Sequence, residues 1–262
     1  MTYTPDELMT VAAARCVGND DVCFVGIGLP SAACNLARLT HAPRITLIYE
    51  SGTIATRPSV LPLSIGDGEL CATALTTVSV PEFFRYWLPS GRISVGFLGA
   101  AQIDRFANLN STVIGPYDRP AVRLPGAGGA PEMAAACQRI FIIIPHSRRA
   151  FRTRLDFLTT LGHGDGSGHR ARLGLTTAGP AKVITDLCVM EPDDRTQELT
   201  VTSLHPGISK AQVEAATEWP VRFAADLAET RPPEPCELEV LRALRARTSE
   251  AHREMQRERS QM

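Results

Sequence analysis

The chain has 262 residues, of which 44% are hydrophobic, and a formal net charge of −1 from 27 basic and 28 acidic residues. This nearly equal number of basic and acidic residues excludes the strongly basic surface typical of nucleic-acid or anionic-membrane binding. The apolar content suffices for the cores of one or two domains. Seven scattered cysteines without a CxxC pair favour reduced thiols over disulfides or a zinc site. The acidic N-terminus MTYTPDELMT does not resemble a signal peptide, and no apolar run reaches the ~20 residues of a membrane span, so we expect a cytoplasmic protein.

The first part of the chain has the pattern of a helix followed by a strand–loop–helix–strand unit. Pro5 is well placed at the start of a helix predicted over 5–18. Four elements follow, namely the strand VCFV (22–25), the glycine loop GIGLP (26–30), the helix SAACNLARL (31–39) with Ser31 as N-cap, and the strand RITLIYE (44–50). Because strands joined through a helix run parallel, this order predicts an α/β protein with a parallel sheet.

Similar apolar signatures recur further along the chain. They predict the strands ISVGFLGAAQID (93–104), RIFIII (139–144), AKVITDLCVMEP (181–192) and ELTVTSLHPG (198–207), and the helices APEMAAACQ (130–138) and SKAQVEAAT (209–217). RIFIII is apolar throughout, as buried parallel strands tend to be. DDRTQ (193–197) suits a hairpin turn between the last two strands. The glycine-rich LGHGDGSGH (161–169) is predicted to be a mobile surface loop.

The breaker RPPEP (231–235) divides the chain near its end. Residues 1–235 are predicted to form the main domain, and 236–262 a C-terminal helix with a charged tail. Leu238, Leu241 and Leu244 form an apolar stripe at helical spacing, which predicts that this helix packs at its start. The stripe ends at about residue 247, so we expect the helix to fray there into a solvated tail.

Glu50 is a lone carboxylate at the carboxyl end of a predicted strand, where α/β proteins place their chemistry. It could act as a general base, a metal ligand or a nucleophile. Taken alone, the residue is more commonly a helix cap or a loop-bonding carboxylate. The six histidines are isolated in the sequence, which argues against a metal site.

Two glycine-rich loops follow other predicted strands. Gly26 and Gly28 precede a helix, where a ligand can approach the backbone and the helix N-terminus favours an anion. The third glycine of a nucleotide signature is missing, so a tight structural turn is an equal alternative. In LPGAGGAPE, the free N–H groups around Gly126, Gly128 and Gly129 could form an oxyanion or phosphate cradle.

The segment GAAQIDRFANLNST (99–112) is dense in turn-forming side chains. Asp104, Asn108 and Asn110 each favour side-chain to backbone hydrogen bonds. We expect these residues to brace a loop of the site rather than to contact substrate.

Six motifs together resemble one family. FVGIGLP, LIYESGTI, LSIGDGE, GFLGAAQIDRFANLNST, LPGAGGAPE and SLHPGISKAQVEAAT occur in the order found in the β subunits of class I (family I) CoA-transferases, over about residues 5–245. The chain looks closest to the branch that carries ESG, which includes 3-oxoadipate and glutaconate CoA-transferases. The resemblance implies an open, mostly parallel α/β sheet flanked by helices, with a C-terminal helical tail. It also implies a separate α subunit, in a heterodimer or an α2β2 heterotetramer.

The resemblance implies that Glu50 is the catalytic nucleophile. It would attack an acyl-CoA to form a mixed anhydride, which CoA thiolate converts to a glutamyl-CoA thioester before the acceptor acid reverses the exchange. CoA is then substrate and covalent intermediate, with no permanently bound cofactor. The expected reaction moves CoA from succinyl-CoA or another acyl-CoA to a 3-oxo or dicarboxylic acid such as 3-oxoadipate. The alternatives are a glutaconate-type transferase, a CoA-ester hydrolase or ring-opening enzyme on this scaffold, and a non-catalytic CoA-binding partner.

Further site roles follow from the resemblance position by position. Gly128 and Gly129 match the glycines that line the CoA thioester site, and Gly52 matches the small residue that lets CoA approach the nucleophile. Many relatives read SENG at 49–52, so no role is transferred to Tyr49 or Ser51. Most relatives also have Gly at 107, so the backbone there must tolerate the Cβ of alanine. Four arginines are candidates for the substrate's far carboxylate, namely Arg57, Arg85, Arg105 and Arg119.

Overall fold

The computed structural model describes residues 2–166 and 168–259. Its α-helices are α1 (Pro5–Ala14), α2 (Leu29–Leu39), α3 (Gly68–Ala72), α4 (Val80–Glu82), α5 (Ala130–Ala136), α6 (His169–Arg172), α7 (Lys210–Ala215) and α8 (Pro235–Arg259). A π-helix (Phe83–Trp87) and a 3₁₀-helix (Leu88–Ser90) follow α4. Its strands are β1 (Val22–Val25), β2 (Thr46–Tyr49), β3 (Thr53–Ile54), β4 (Thr76–Thr77), β5 (Val95–Leu98), β6 (Gln102–Ile103), β7 (Leu109–Asn110), β8 (Val113–Ile114), β9 (Val122–Arg123), β10 (Arg139–Ile143), β11 (Gly179–Ile184), β12 (Cys188–Pro192), β13 (Leu199–Leu204) and β14 (Arg222–Glu229). Across these two ranges, no helix has both the length and the apolar character that a membrane crossing requires.

The chain divides into two compact units, one of residues up to 83 together with those from 233 onward, and one of residues 84–232. In the first unit, β1 and β2 pair in parallel, with Val25 opposite Tyr49. This confirms the strand–helix–strand prediction. β3 and β4 then extend the sheet antiparallel. The aromatic core of this unit includes Phe24 and Phe83, which meet edge to face with ring centroids 5.0 Å apart.

The first helix is shorter than predicted. Thr4 and Glu7 form a capping box, which fixes the start as expected. The expected end at 18 is wrong, because α1 stops at Ala14. The N–H of Cys16 donates to the carbonyl of Ala13, three residues back, and this tighter turn ends the helix.

The second helix begins before the predicted cap. Gly28 is the N-cap of α2, so the assignment of Ser31 as N-cap is wrong. Pro30 suits the first helical turn, because its missing N–H would have no intrahelical partner there. Ser31 is therefore inside the helix and buried, where its hydroxyl is available for a tertiary contact.

The C-terminal helix packs within the first unit through the predicted stripe. Leu238, Leu241 and Leu244 are fully buried, as expected. Arg242 reinforces this packing through an ion pair with Glu7 of α1. The helix does not stop near 247 but continues to Arg259 with mostly exposed residues. The end of the predicted tail, residues 260–262, lies outside the described residues, and the predicted domain boundary at 235 stays a prediction.

In the second unit the strand order is β14-β13-β12-β11-β10-β5. β5, β10 and β11 are parallel, β12 and β13 are antiparallel, and β14 runs parallel to β13. β10 is buried from Ile140 to Ile143, as its apolar sequence predicts, and α5 packs against β5, β10 and β11. The predicted α/β class with a mostly parallel sheet flanked by helices is confirmed.

Several strand assignments in the second unit differ from the prediction. ISVGFLGAAQID is not one strand, because β5 ends at Leu98 and β6 pairs with β7 in a separate two-stranded sheet. AKVITDLCVMEP is two strands, because the Thr185 hydroxyl accepts the N–H groups of Leu187 and Cys188 and turns the chain after β11. The predicted hairpin between β12 and β13 is confirmed. β14 was not predicted, since RFAADLAE has no regular alternation of apolar and polar residues.

The glycine-rich segment 161–169 is more enclosed than a surface loop. His163 is buried, and its Nε2 lies 2.8 Å from the carbonyl oxygen of Pro180. Gly162 lies against Ala107, where a Cβ at 162 would come within 2.2 Å of the Ala107 oxygen. The surface prediction is therefore wrong for this part, while Ser167 lies outside the described residues.

Candidate active site

Glu50 occupies the corner of a β-turn directly after β2. The N–H of Gly52 donates to the carbonyl oxygen of Tyr49 at 2.9 Å, which closes the turn and places Glu50 and Ser51 at its two corners. Glu50 is half-buried, whereas the strand residues before it are enclosed. A carboxylate at the open end of a buried parallel strand is well placed to meet a ligand.

Tyr49 holds the near side of this turn in the core. Its side chain is fully buried, and its hydroxyl lies 2.7 Å from the Ser31 hydroxyl and 3.4 Å from Nδ2 of Asn35. Arg38 in turn donates to the Asn35 oxygen at 3.1 Å from both Nε and Nη2. Burial raises the pKa of Tyr49 well above its ordinary value, so its phenol stays neutral. Tyr49 is therefore a structural residue that ties β2 to α2.

Gly52 holds the far side of the turn by close backbone contact. Its φ is +89°, and an added Cβ would lie 2.0 Å from the carbonyl oxygen of Val78. The Val78 N–H donates to the Gly52 oxygen at 2.9 Å. The structure thus supplies a packing reason for glycine at 52, independent of the approach of CoA.

The first glycine loop leads into α2 with open space beside it. Gly28 has φ of +82° and nothing within 4 Å of the position a Cβ would take. Gly26 is half-buried two residues earlier. Both lie in the first unit, as Glu50 does.

The second glycine loop lies in the other unit and leads into α5. Gly126 is tied to Ser111 on both sides, because its N–H donates to the Ser111 oxygen and its own oxygen accepts from the Ser111 hydroxyl, each at 2.8 Å. Gly128 has φ of +51°, and Gly129 is the N-cap of α5. Among the described residues, none accepts from the N–H groups of Gly128 and Gly129. Within the described chain both donors are therefore unpaired, one on the exposed Gly128 and one on the buried Gly129, as in a loop that takes an incoming oxygen.

The predicted bracing residues have all their polar atoms occupied within the second unit. Nδ2 of Asn108 donates to Asp104 and to the Gly164 oxygen, and its Oδ1 accepts from the N–H groups of Gly162 and Gly164. Asn110 fixes the turn to β8 through the Val113 N–H and oxygen. Both residues hold loops in place and leave no free donor for substrate.

Comparison with known proteins settles the family. Residues 7–216 match the family described as Coenzyme A transferase. The chain belongs to the coenzyme A transferase family.

The chain is similar in sequence to three curated proteins. It is 59% identical over 250 residues to the B subunit of 3-oxoadipate CoA-transferase from Pseudomonas knackmussii, covering 95% of this chain and 96% of the relative. It is 32% identical to the B subunit of glutaconate CoA-transferase from Acidaminococcus fermentans, over 92% of this chain and 91% of the relative. The crystal structure of that organism's glutaconate coenzyme A-transferase superposes with a TM-score of 0.86, over 92% of this chain and 94% of the other. Identity to the cholesterol ring-cleaving hydrolase IpdB subunit of Mycobacterium tuberculosis is 26%, over 82% and 83%.

In this coenzyme A transferase, the second glycine loop is stabilised by contacts at the far end of α5 that no sequence motif predicts. Arg170 is buried, and its Nη2 donates to the carbonyl oxygen of Ala134 near the end of α5, while the Thr177 hydroxyl donates to that of Ala135. A cation and a hydroxyl on the terminal carbonyls stabilise the helix that begins at Gly129. Arg170 and Thr177 are far in sequence from the carbonyl groups that they bind, so no local motif predicts these hydrogen bonds.

The four candidate arginines of the transferase are all exposed, namely Arg57, Arg85, Arg105 and Arg119. Nothing in their burial ranks one above another as the partner of the substrate's far carboxylate. Within the described ranges, no cluster of three or more His, Cys, Asp or Glu side chains is arranged to hold a metal ion.

Proposed function

We propose that this chain is the β subunit of a CoA-transferase that passes CoA from succinyl-CoA to 3-oxoadipate, with Glu50 as the nucleophile. The observation that carries the role of Glu50 is its placement at the corner of a turn held on one side by Tyr49 and on the other by Gly52. The choice of acid rests on the 59% identity to one subunit of a 3-oxoadipate CoA-transferase.

The chemistry of the proposal follows from a carboxylate fixed at a strand end. One oxygen of Glu50 attacks the thioester carbonyl carbon, and the C–S bond breaks. CoA leaves as the thiolate, and the acyl group remains on Glu50 as a mixed anhydride. The thiolate attacks the glutamyl carbonyl carbon, the bond from that carbon to the bridging oxygen breaks, and the donor acid leaves as a carboxylate that carries the oxygen contributed by Glu50. The resulting glutamyl-CoA thioester reacts with the acceptor acid by the same steps in reverse, which is covalent ping-pong catalysis.

The N–H groups of Gly128 and Gly129 are the donors that we assign to the oxyanion on the acyl carbonyl. The thioester survives only if water is excluded, which requires a closed site. We assign that closure to an α subunit that joins this chain in a heterodimer or an α2β2 heterotetramer. The 59% identical relative is itself one subunit of its enzyme, which supports such a partner.

Trapping the intermediate tests the role of Glu50. The complex with its α subunit is incubated with succinyl-CoA and then treated with hydroxylamine or borohydride, and the peptide carrying Glu50 is analysed by mass spectrometry. We expect a hydroxamate or alcohol at Glu50 and loss of activity only when succinyl-CoA is present. Glu50→Ala should lower kcat by about 10⁴-fold or more and should give no trapped product. Full transferase activity in Glu50→Ala would refute the proposal.

Hydrolysis on the same scaffold is the alternative, favoured by the 26% identity to a ring-cleaving hydrolase subunit. A hydrolase releases free CoA thiol from an acyl-CoA when no acceptor acid is present. Measuring thiol release with and without 3-oxoadipate separates the two reactions. Substituting glutaconate for 3-oxoadipate in the same assay distinguishes the two acceptor classes.

A further inference from the structure

We propose that Ser51 is a further catalytic residue, whose hydroxyl donates a hydrogen bond to the glutamyl carbonyl oxygen of Glu50 when CoA thiolate attacks it. This inference rests on the proposed role of Glu50 as the nucleophile. It assigns a function to a position for which the family resemblance supplies none.

The turn brings the two side chains out together. Glu50 and Ser51 are the second and third residues of the turn closed by the Gly52 N–H, and neither has a positive φ. Negative φ at both corners is the class of the type I turn, for which glycine is favoured at the fourth position. The nucleophile and the hydroxyl thus leave adjacent corners of one rigid turn.

The Ser51 hydroxyl is unsatisfied in the free subunit. Its oxygen is shielded from solvent, yet it makes no hydrogen bond with any described residue. A buried hydroxyl without a partner has lost its hydrogen bonds to water and gained none in return, so a ligand that offers it an acceptor removes that cost. Ser51 is half-buried as a residue, so rotation of its side chain about the Cα–Cβ bond can bring the hydroxyl to a group bound beside Glu50.

A nearby hydroxyl shows why this argument singles out Ser51. The hydroxyl of Thr53 also lacks a partner among the described residues, but Thr53 is fully enclosed on β3. No ligand can approach it without opening the strand. Of the two residues with orphan hydroxyls that flank Gly52, Ser51 alone is partly exposed.

The chemistry requires a donor distinct from the glycine loop. In the first step, negative charge develops on the oxygen of the acyl carbonyl, to which Gly128 and Gly129 are assigned. In the second, the thiolate adds to the glutamyl carbonyl carbon, and charge develops on the glutamyl oxygen that is not bonded to the acyl group. That oxygen belongs to the side chain next to Ser51. When the tetrahedral adduct collapses, the donor acid leaves as a carboxylate, the C=O bond reforms, and the Ser51 proton stays on its own oxygen.

The test is single-turnover formation of the glutamyl-CoA thioester by the α/β complex mixed with succinyl-CoA. We expect Ser51→Ala to slow this step by about 10²-fold, the usual effect of losing one oxyanion donor. KM for succinyl-CoA should change by less than about 3-fold, because the bond forms only as charge develops. Ser51→Thr keeps the hydroxyl and should recover most of the rate. The Tm of Ser51→Ala should equal or exceed that of the wild type, because an unpartnered hydroxyl is removed.

Thr53→Val is the matched control, since it removes the other orphan hydroxyl beside the turn at constant shape. It should leave the single-turnover rate within about 2-fold of wild type, well short of the loss of an oxyanion donor. A Ser51→Ala rate within about 3-fold of wild type, in a preparation where Glu50→Ala is inactive, overturns the role of Ser51 alone. The same role is overturned if Thr53→Val loses as much of the single-turnover rate as Ser51→Ala does. It is also overturned if Ser51→Ala has a lowered Tm that is not restored in Ser51→Thr. An active Glu50→Ala overturns instead the proposed function on which this role rests.

Discussion

Gly52→Ala tests whether the turn that carries Glu50 depends on the close backbone contact beneath it. An alanine at 52 must adopt φ near +89° and place its Cβ 2.0 Å from the carbonyl oxygen of Val78. A contact this short to backbone has no side chain that can swing aside. The turn and the backbone at Val78 must therefore move apart.

The cost can be built from these contacts. A left-handed conformation costs a residue with a Cβ about 1–2 kcal/mol, and loss of the 2.9 Å hydrogen bond from the Val78 N–H to the Gly52 oxygen adds about 1 kcal/mol. We expect Gly52→Ala to lower the free energy of unfolding by about 2–3 kcal/mol, which corresponds to roughly 4–12 °C in Tm for a chain of this size. Displacing Glu50 by about 1 Å should lower kcat by about 10²-fold.

Urea unfolding and steady-state CoA transfer by the α/β complex measure these two effects. Gly18→Ala is the control, because Gly18 has an ordinary φ and nothing within 4 Å of an added Cβ. It should leave both stability and rate close to wild type. The reasoning is refuted if Gly52→Ala is as stable and as active as Gly18→Ala.

Three further substitutions or conditions probe the scaffold. Burial lowers the pKa of His146 from 6.5 to about 4, so the folded state binds a proton at this residue less readily than the unfolded chain does. The free energy of unfolding should therefore be unaffected by His146 above pH 6.5 and should fall by about 2 kcal/mol by pH 5. Urea titrations should show a smaller loss in His146→Gln. Ala107→Gly should raise the free energy of unfolding by about 0.5–1 kcal/mol, because Ala107 has φ of +57°, and an unchanged or lower urea midpoint would contradict this. Leu241→Ala should cost about 2–5 kcal/mol by opening a cavity under α8, whereas Glu239→Ala on the exposed face of the same helix should cost little, and equal urea midpoints for the two variants would count against this packing.

Local sequence was sufficient wherever neighbouring residues decide the structure. The capping box of Thr4 and Glu7 starts α1, and the apolar stripe through Leu241 buries α8. The alternation of apolar strands with helices predicted parallel pairing of β1 and β2, because a crossover helix leaves little alternative. The polar Glu50 after an apolar run likewise marked the end of a strand, although β2 stops one residue earlier than predicted, at Tyr49.

Tertiary structure decided what depends on residues far apart in the chain. The hydroxyl of Ser31 serves Tyr49 rather than a helix end, because α2 lies across β2. Gly162 is needed because the backbone of Ala107 approaches it, and no spacing in the sequence reveals that contact. The lack of any described partner for Ser51 is likewise visible only once the surrounding chain is in place. Periodicity and capping report energies within one element, whereas these contacts arise only when separate elements pack together.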